Sequence, residues 1–209
     1  MSVVFTTYSE QFIMLCADKQ ATNMKTGEIC IDGVTKIERW APYMAVGRAG
    51  NKQLGDLVVS AVHSVVDENG GPATYTVEDM SDLVCQGFYA IKDEYTDMPS
   101  GLSAQFVVAG KLANGKLGIG SIYADDKGAD LEIYEGKEVP STVIFAPEDM
   151  TDEECNQLFQ KALINSRNKK SPHGNPLETI HRKAVRYVSE QSKYVGHKSD
   201  FILITPDSK

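Results

Sequence analysis

The amino-terminal part of the chain alternates between apolar, β-prone runs and short polar breaks. The runs Val3 to Ser9 and Phe12 to Asp18 are rich in β-branched and aromatic side chains, and Glu10-Gln11 separates them. This pattern predicts an antiparallel hairpin that begins at the amino terminus itself. Further short strands, with Asp32-Gly33 and Pro42 as breaks, are predicted at Ile29 to Ile31, Val34 to Ile37 and Tyr43 to Val46.

The spacing of apolar residues changes to a helical period in the middle of the chain. From Leu54 to Val65 apolar residues recur every three or four positions, which predicts a helix ended by Asn69-Gly70-Gly71-Pro72. A second helix is predicted from Thr76 to Ile91, and Met98-Pro99-Ser100-Gly101 ends it. Two helices therefore follow the first group of strands.

The carboxyl-terminal half repeats this order of strands followed by two helices. Thr151 and Glu154 form the capping-box pattern of a helix start, and Asn175-Pro176 starts a helix that we expect to reach Lys193. The strands predicted around these helices are Ala104 to Lys111, Lys116 to Ala124, Leu131 to Tyr134, Ser141 to Phe145 and Phe201 to Ile204. This order predicts an α+β fold in which two antiparallel sheets pack together and helices cover their outer faces.

The composition is that of an ordinary globular protein. The 209 residues are 42% hydrophobic and carry a formal net charge of -8. At roughly 100–200 residues per domain, we expect one domain over residues 1–209. The apolar runs are shorter than the roughly 18 residues that a membrane span needs, and no basic, apolar leader opens the chain. We therefore expect a cytoplasmic protein without a membrane partner, and the acidic balance also argues against nucleic acid as a partner.

The cysteines do not form a metal-binding or redox motif. Cys16, Cys30, Cys85 and Cys155 lie far apart, without a Cys-x-x-Cys pair and without a histidine at ligand spacing. The sequence therefore predicts neither a metal nor another cofactor.

One segment departs from the acidic balance. Residues 167–198 hold eight Lys or Arg against two Glu. A solvated polar face is one interpretation, and a contact with the acidic surface of a neighbouring subunit is another.

Ser2 is the first candidate for chemistry. Because its side chain is small, removal of Met1 is favoured and leaves a serine with a hydroxyl and a free α-amine. The amine is basic near neutral pH and can accept the hydroxyl proton, directly or through a water. Such a site also needs a nearby cation and an N–H group directed at the oxyanion.

The most specific signal in the chain comes from two segments near the amino terminus. Ser2 to Thr22 (SVVFTTYSEQFIMLCADKQAT) is similar to the opening of the β-type subunits of the proteasome, where an N-terminal Thr leads a hairpin that ends in Ala-Asp-x-x-Ala-Thr. Lys36 to Gly50 (KIERWAPYMAVGRAG) resembles the Lys-to-Gly stretch of the same family. The resemblance covers about the first hundred residues. It implies an N-terminal-nucleophile (Ntn) hydrolase with a four-layer αββα sandwich, of the type that includes the bacterial two-component ATP-dependent protease.

The resemblance also assigns roles. Ser2 would be the nucleophile, Asp18 would orient Lys36, Lys36 would tune the Ser2 hydroxyl, and Gly50 would supply the oxyanion N–H. The substrate-binding positions implied are Thr22 and Gly47, and the supporting positions are Asn168 and Ser171.

The chain differs from the family pattern at several points. Serine replaces the preferred threonine, residues 144–150 (IFAPEDM) replace a Gly-Ser-Gly segment, and Asn168 replaces a carboxylate. The basic helix at 175–195 looks inserted before the last strand.

The resemblance implies hydrolysis of peptide bonds, in peptides or unfolded protein, within a homo-oligomeric ring that an ATP-dependent unfoldase serves. A non-catalytic structural or regulatory ring subunit and a small-molecule amidase are the alternatives.

Overall fold

The computed structural model describes residues 2–22, 28–94, 103–166 and 175–208. Within these ranges the chain forms eleven strands and four α-helices, with a 3-10 turn at Pro72–Thr74. The helices are α1 (Lys52–Glu68), α2 (Val77–Glu94), α3 (Asp152–Ile164) and α4 (Pro176–Ser189). The strands are β1 (Val4–Tyr8), β2 (Ile13–Asp18), β3 (Gln20–Thr22), β4 (Ile29–Asp32), β5 (Ile37–Ala41), β6 (Met44–Gly50), β7 (Ala104–Lys111), β8 (Leu117–Ala124), β9 (Ala129–Glu135), β10 (Ser141–Phe145) and β11 (Ser199–Ile204).

The strands form two larger antiparallel sheets and one small ribbon. The four-stranded sheet has the order β10-β1-β2-β11, and the five-stranded sheet has the order β5-β6-β7-β8-β9. β3 and β4 pair as a separate two-stranded ribbon. The predicted hairpin is confirmed, since Val4 pairs with Ala17 and Tyr8 with Ile13. The predicted mixture of antiparallel sheets and helices is therefore confirmed.

Three clusters of buried apolar side chains hold these elements together. One joins the two larger sheets and includes Leu15 from β2 and Val107 from β7. The next joins α1 and α2 to residues of the five-stranded sheet, among them Phe106. Because successive strand residues point to opposite faces, Phe106 and Val107 serve different clusters. The third joins α3 and α4 to the four-stranded sheet, where the ring of Phe5 stacks on Phe159 with centroids 5.5 Å apart.

The end of α1 and the start of α3 follow the predicted local chemistry. The Asn51 side chain accepts from the Leu54 amide at 3.0 Å and caps α1. Gly70 and Gly71, with φ of 99° and 85°, lie just past its end. Thr151 and Glu154 form a complete capping box at α3. None of the helices in the described ranges is both long enough and apolar enough to cross a membrane.

Three elements differ from the sequence expectation. The segment from Val34 is not a strand before Ile37, because the amides of Gly33 and Val34 both donate to the Lys19 carbonyl, at 2.8 and 2.9 Å. β3 was not predicted, and its three residues are too few to give a periodic pattern. α4 ends at Ser189, because the following residues turn to contact Asp149, which lies before α3.

His181 on α4 is buried between the helices and the four-stranded sheet. Its Nδ1 lies 2.9 Å from the Leu177 carbonyl, which only accepts, so Nδ1 carries the proton. Nε2 then accepts from the Thr7 hydroxyl at 2.9 Å, and that hydroxyl also contacts the Thr142 hydroxyl at 2.9 Å. Phe159 meets the ring edge-on, with centroids 5.1 Å apart. Burial lowers the pKa of His181 from 6.5 to about 4.

We expect this histidine to make the protein less stable in mild acid. Below pH 6.5 the unfolded chain binds a proton that the folded His181 does not bind until about pH 4, so the free energy of unfolding falls as pH decreases through that window. Between pH 7 and pH 5 the loss is about 2 kcal/mol. Urea unfolding of the protein and of its His181→Gln variant at both pH values measures it, because the variant lacks this titration.

His63→Gln is the matched control. His63 is an exposed helix residue, 2.9 Å from Asp67. Its replacement leaves the buried His181 site intact, so the loss due to His181 should persist in this variant. Equal pH dependence in the protein and in His181→Gln would contradict the prediction.

Candidate active site

The Asp18 carboxylate, at the end of β2, is completely surrounded by donors. Its Oδ1 accepts from the Val3 amide at 3.0 Å. Its Oδ2 accepts from the Gln20 amide at 3.0 Å, the Gly196 amide at 3.2 Å and the Lys36 ammonium at 2.7 Å. The residue is only 1% exposed. Four N–H donors therefore converge on one buried carboxylate.

Lys36 forms the other half of this buried ion pair. Its side chain is 5% exposed, against 0% for that of Asp18. The ammonium also donates to the Gln20 carbonyl at 2.5 Å. Burial lowers the pKa of Lys36, and the neighbouring Asp18 opposes this effect. The lysine is therefore a cation held in one place, with a reduced cost of giving up its proton.

Ser2 lies next to this pair. It is 6% exposed, and it precedes Val3, whose amide donates to Asp18 at 3.0 Å and whose carbonyl accepts from the Asp18 amide at 3.4 Å. One carboxylate thus holds both the residue that follows Ser2 and the Lys36 ammonium. The structure therefore brings Ser2, Asp18 and Lys36 together, although Lys36 is 18 residues from Asp18 in the chain.

Gly50 ends β6 with a φ of 87°, a conformation that side chains disfavour. A Cβ atom there would lie 2.5 Å from the carbonyl oxygen of Ser103. The Arg48 amide donates to the Lys36 carbonyl at 2.8 Å. β6 therefore runs beside the Lys36 segment two residues before Gly50.

Thr22 and Gly47 are both buried near these residues. The Thr22 hydroxyl donates to the Tyr194 carbonyl at 3.3 Å and accepts from the Gln20 amide side chain at 3.0 Å. A Cβ atom on Gly47 would lie 2.8 Å from Val107 in the cluster between the sheets. The lack of a side chain at Gly47 is thus explained by core packing, and any contact with a substrate would be through its backbone.

The two predicted supporting residues, Asn168 and Ser171, lie outside the described residues. A different segment reaches the site, the residues Ser192 to Gly196 between α4 and β11, here called the 192–196 loop. It supplies the Gly196 amide to Asp18 and the Tyr194 carbonyl to Thr22.

Sequence reasoning did not find this loop. Gly196 is 178 residues away from Asp18, and no motif links the two. The one signal is the glycine itself, since a Cβ atom there would lie 2.8 Å from the Cβ of Gln20.

The thiols and the metal-ligating side chains do not form a competing site. Burial raises the pKa of both Cys16 and Cys155 to about 12, which leaves almost no thiolate for nucleophilic attack. Within the part of the chain that the structure describes, no three His, Cys, Asp or Glu side chains converge as metal ligands.

No protein-family model and no curated protein matches the chain. Solved structures do match it. Eukaryotic HslV from Trypanosoma brucei gives a TM-score of 0.55 at 14% identity, over 97% of this chain and 99% of that one. The helically assembled Anbu complex from Pseudomonas aeruginosa gives 0.68 at 15% identity, over 97% of this chain and 81% of that one. The chain has the fold of the proteasome β-type superfamily. In this proteasome-type fold, the ion pair of Asp18 and Lys36 lies beside the amino-terminal strand.

We expect Asp18→Ala to destabilise the fold by about 3–5 kcal/mol, because it leaves the Lys36 ammonium buried without its partner. Asp200→Ala is the control. This variant removes Asp200 from its ion pair with Lys19, whose side chains are 27% (Lys19) and 32% (Asp200) exposed. The free energy of unfolding should fall by about 1 kcal/mol or less. Urea unfolding measures both changes. Equal losses would show that the buried pair is no more important to stability than the exposed one.

Gly50→Ala should also be destabilising, and by more than Gly115→Ala. Both glycines have a positive φ, 87° and 83°, so both substitutions cost about 1–2 kcal/mol in backbone strain. Only at Gly50 does the new methyl group meet a backbone atom, because nothing lies within 4 Å of a Cβ at Gly115. The difference in urea midpoint between the two variants measures the destabilisation that the contact with the Ser103 carbonyl adds at Gly50.

Proposed function

We propose that this chain is an N-terminal-nucleophile hydrolase that cleaves peptide bonds with Ser2, after removal of Met1. The observation that carries the proposal is the single Asp18 carboxylate that binds both the Val3 amide and the buried Lys36 ammonium. This supports a role for Lys36 as the cation beside Ser2, whose hydroxyl and α-amine would do the chemistry. Likeness of fold to HslV supports the same reaction class, since the fold provides the scaffold for such a site.

In the first half of the reaction, the Ser2 hydroxyl oxygen attacks the carbonyl carbon of the peptide bond while its proton moves to the α-amine. The tetrahedral intermediate carries a negative oxygen, for which the Gly50 amide is the proposed donor. The intermediate then collapses, the C–N bond breaks, and the leaving amine takes the proton back from the α-ammonium. An ester between Ser2 and the acyl part of the substrate remains.

In the second half, a water molecule gives a proton to the α-amine while the water oxygen attacks the carbonyl carbon of the ester. Collapse of this second intermediate returns the proton to the serine oxygen and releases a carboxylic acid. Lys36 would stay charged through both halves. Its ammonium favours the free-base form of the nearby amine and stabilises negative charge on the serine oxygen.

The finer architecture belongs to the same proposal. We propose a four-layer αββα sandwich for the single domain of residues 1–209, supported by the three buried clusters that join neighbouring layers. Thr22 and Gly47 would line the substrate cleft, and Asn168 and Ser171 would support it. The basic helix at 175–195 remains a predicted insertion.

The assembly is also part of the proposal. The Anbu complex forms a helical assembly, and the likeness to it supports a homo-oligomer here. We propose a ring in the cytoplasm, to which an ATP-dependent unfoldase delivers unfolded protein. Only the delivered protein would then reach the buried Ser2.

The test is the intact mass of the purified protein before and after a peptide epoxyketone, a probe that reacts with a hydroxyl and an adjacent amine. We expect a chain without Met1, and one adduct that maps to Ser2. Ser2→Ala should lower peptide hydrolysis by about 10³-fold or more without disturbing assembly. Ser64→Ala, an exposed helix position, is the control and should keep both adduct and activity.

Two results would contradict the proposal. A retained Met1 with no adduct would reject the hydrolase and leave the non-catalytic ring subunit. Hydrolysis that persists in Ser2→Ala would reject Ser2 as the nucleophile.

A further inference from the structure

The 192–196 loop reaches the candidate site with its carboxyl-terminal part. The Gly196 amide donates to Asp18 Oδ2 at 3.2 Å, and the Tyr194 carbonyl accepts from the Thr22 hydroxyl at 3.3 Å. Tyr194 and Val195 are 6% and 4% exposed, so the loop packs into the protein instead of lying over it. The environment of Asp18 therefore depends on where this loop is held.

The other end of the loop is held by Asp149, which lies between β10 and α3. The Ser192 hydroxyl donates to Asp149 Oδ1 at 2.7 Å, and the Lys193 amide donates to Oδ2 at 3.2 Å. The same Ser192 oxygen accepts from the Tyr194 amide at 3.1 Å. These three hydrogen bonds fix the turn from which the chain continues to Gly196.

We propose that Asp149 is a positioning residue for the candidate active site, holding the 192–196 loop so that the Gly196 amide stays on Asp18. The proposal rests on the proposed function of that site. Asp149 itself touches neither Asp18 nor Lys36 in any contact among the described residues, and it acts through Ser192 and the loop.

The exposure of Asp149 separates this role from a general contribution to folding. Asp149 is exposed, whereas Ser192 is 5% exposed and Tyr194 and Val195 behind it are buried. Removal of an exposed carboxylate leaves the three apolar clusters intact, so its effect should be local. The two bonds that it accepts are charge-assisted, which makes them stronger than neutral hydrogen bonds. The loop should therefore loosen while the fold persists.

The experiment compares Asp149→Ala, Ser192→Ala and the double variant with Glu148→Ala, the exposed neighbouring acid. The first measurement is hydrogen exchange of the Gly196 amide in the folded protein, which needs no substrate. We expect exchange about tenfold faster in Asp149→Ala and unchanged in Glu148→Ala. In the double variant the two effects should be less than additive, because both substitutions remove the hydrogen bond between Ser192 and Asp149.

The second measurement is inactivation of Ser2 by the peptide epoxyketone. We expect the maximal inactivation rate to fall about tenfold in Asp149→Ala, with the half-saturating probe concentration changed less than twofold. If Asp149 contributed only to folding, its substitution would lower the thermal midpoint of unfolding. It would not lower the maximal inactivation rate while leaving the half-saturating probe concentration unchanged.

The outcomes separate the two proposals. Absence of any Ser2 adduct in the unmodified protein would reject the proposed function, and the exchange of Gly196 would still decide the role of Asp149. Unchanged exchange in Asp149→Ala, or additive effects in the double variant, would overturn the positioning role.

Discussion

The buried carboxylate of Asp18 imposes the constraint on which the rest of the site depends. A charge removed from water must be compensated at close range, or the fold loses several kcal/mol. Four segments supply that compensation: the start of β1, the start of β3, the Lys36 turn and the 192–196 loop. Because all four must converge on one carboxylate, the requirement that stabilises the fold also determines where Ser2 and Lys36 lie relative to one another.

The same pair holds a cation in a place that water hardly reaches. Desolvation lowers the pKa of Lys36 while Asp18 opposes that effect, so the ammonium is retained in a place where charge is costly. A cation of this kind has a strong field, since little water screens it. His181 is the contrasting case, because burial without a carboxylate partner leaves it neutral and structural.

The loops around the site are held in place by hydrogen bonds. The Lys36 segment turns about the Lys19 carbonyl before β5 begins, and the 192–196 loop is bonded to Asp149 at one end and Asp18 at the other. Loops of this length keep side chains in place only when their own polar groups are satisfied. The site therefore relies on residues such as Asp149 that no catalytic motif would identify.

Most of the strands and helices, and part of the candidate site, could be predicted from the sequence alone. Period-2 runs predicted the β1–β2 hairpin, and helical spacing and caps predicted α1, α2 and α3, because these are local signals carried by residues close together in the chain. The resemblance of two segments to proteasome β-type subunits pointed to Ser2, Asp18 and Lys36. The contact of Gly196 with Asp18 and the contact of Asp149 with the 192–196 loop follow from the tertiary structure, because such contacts join residues whose separation leaves no periodic or spacing pattern to read.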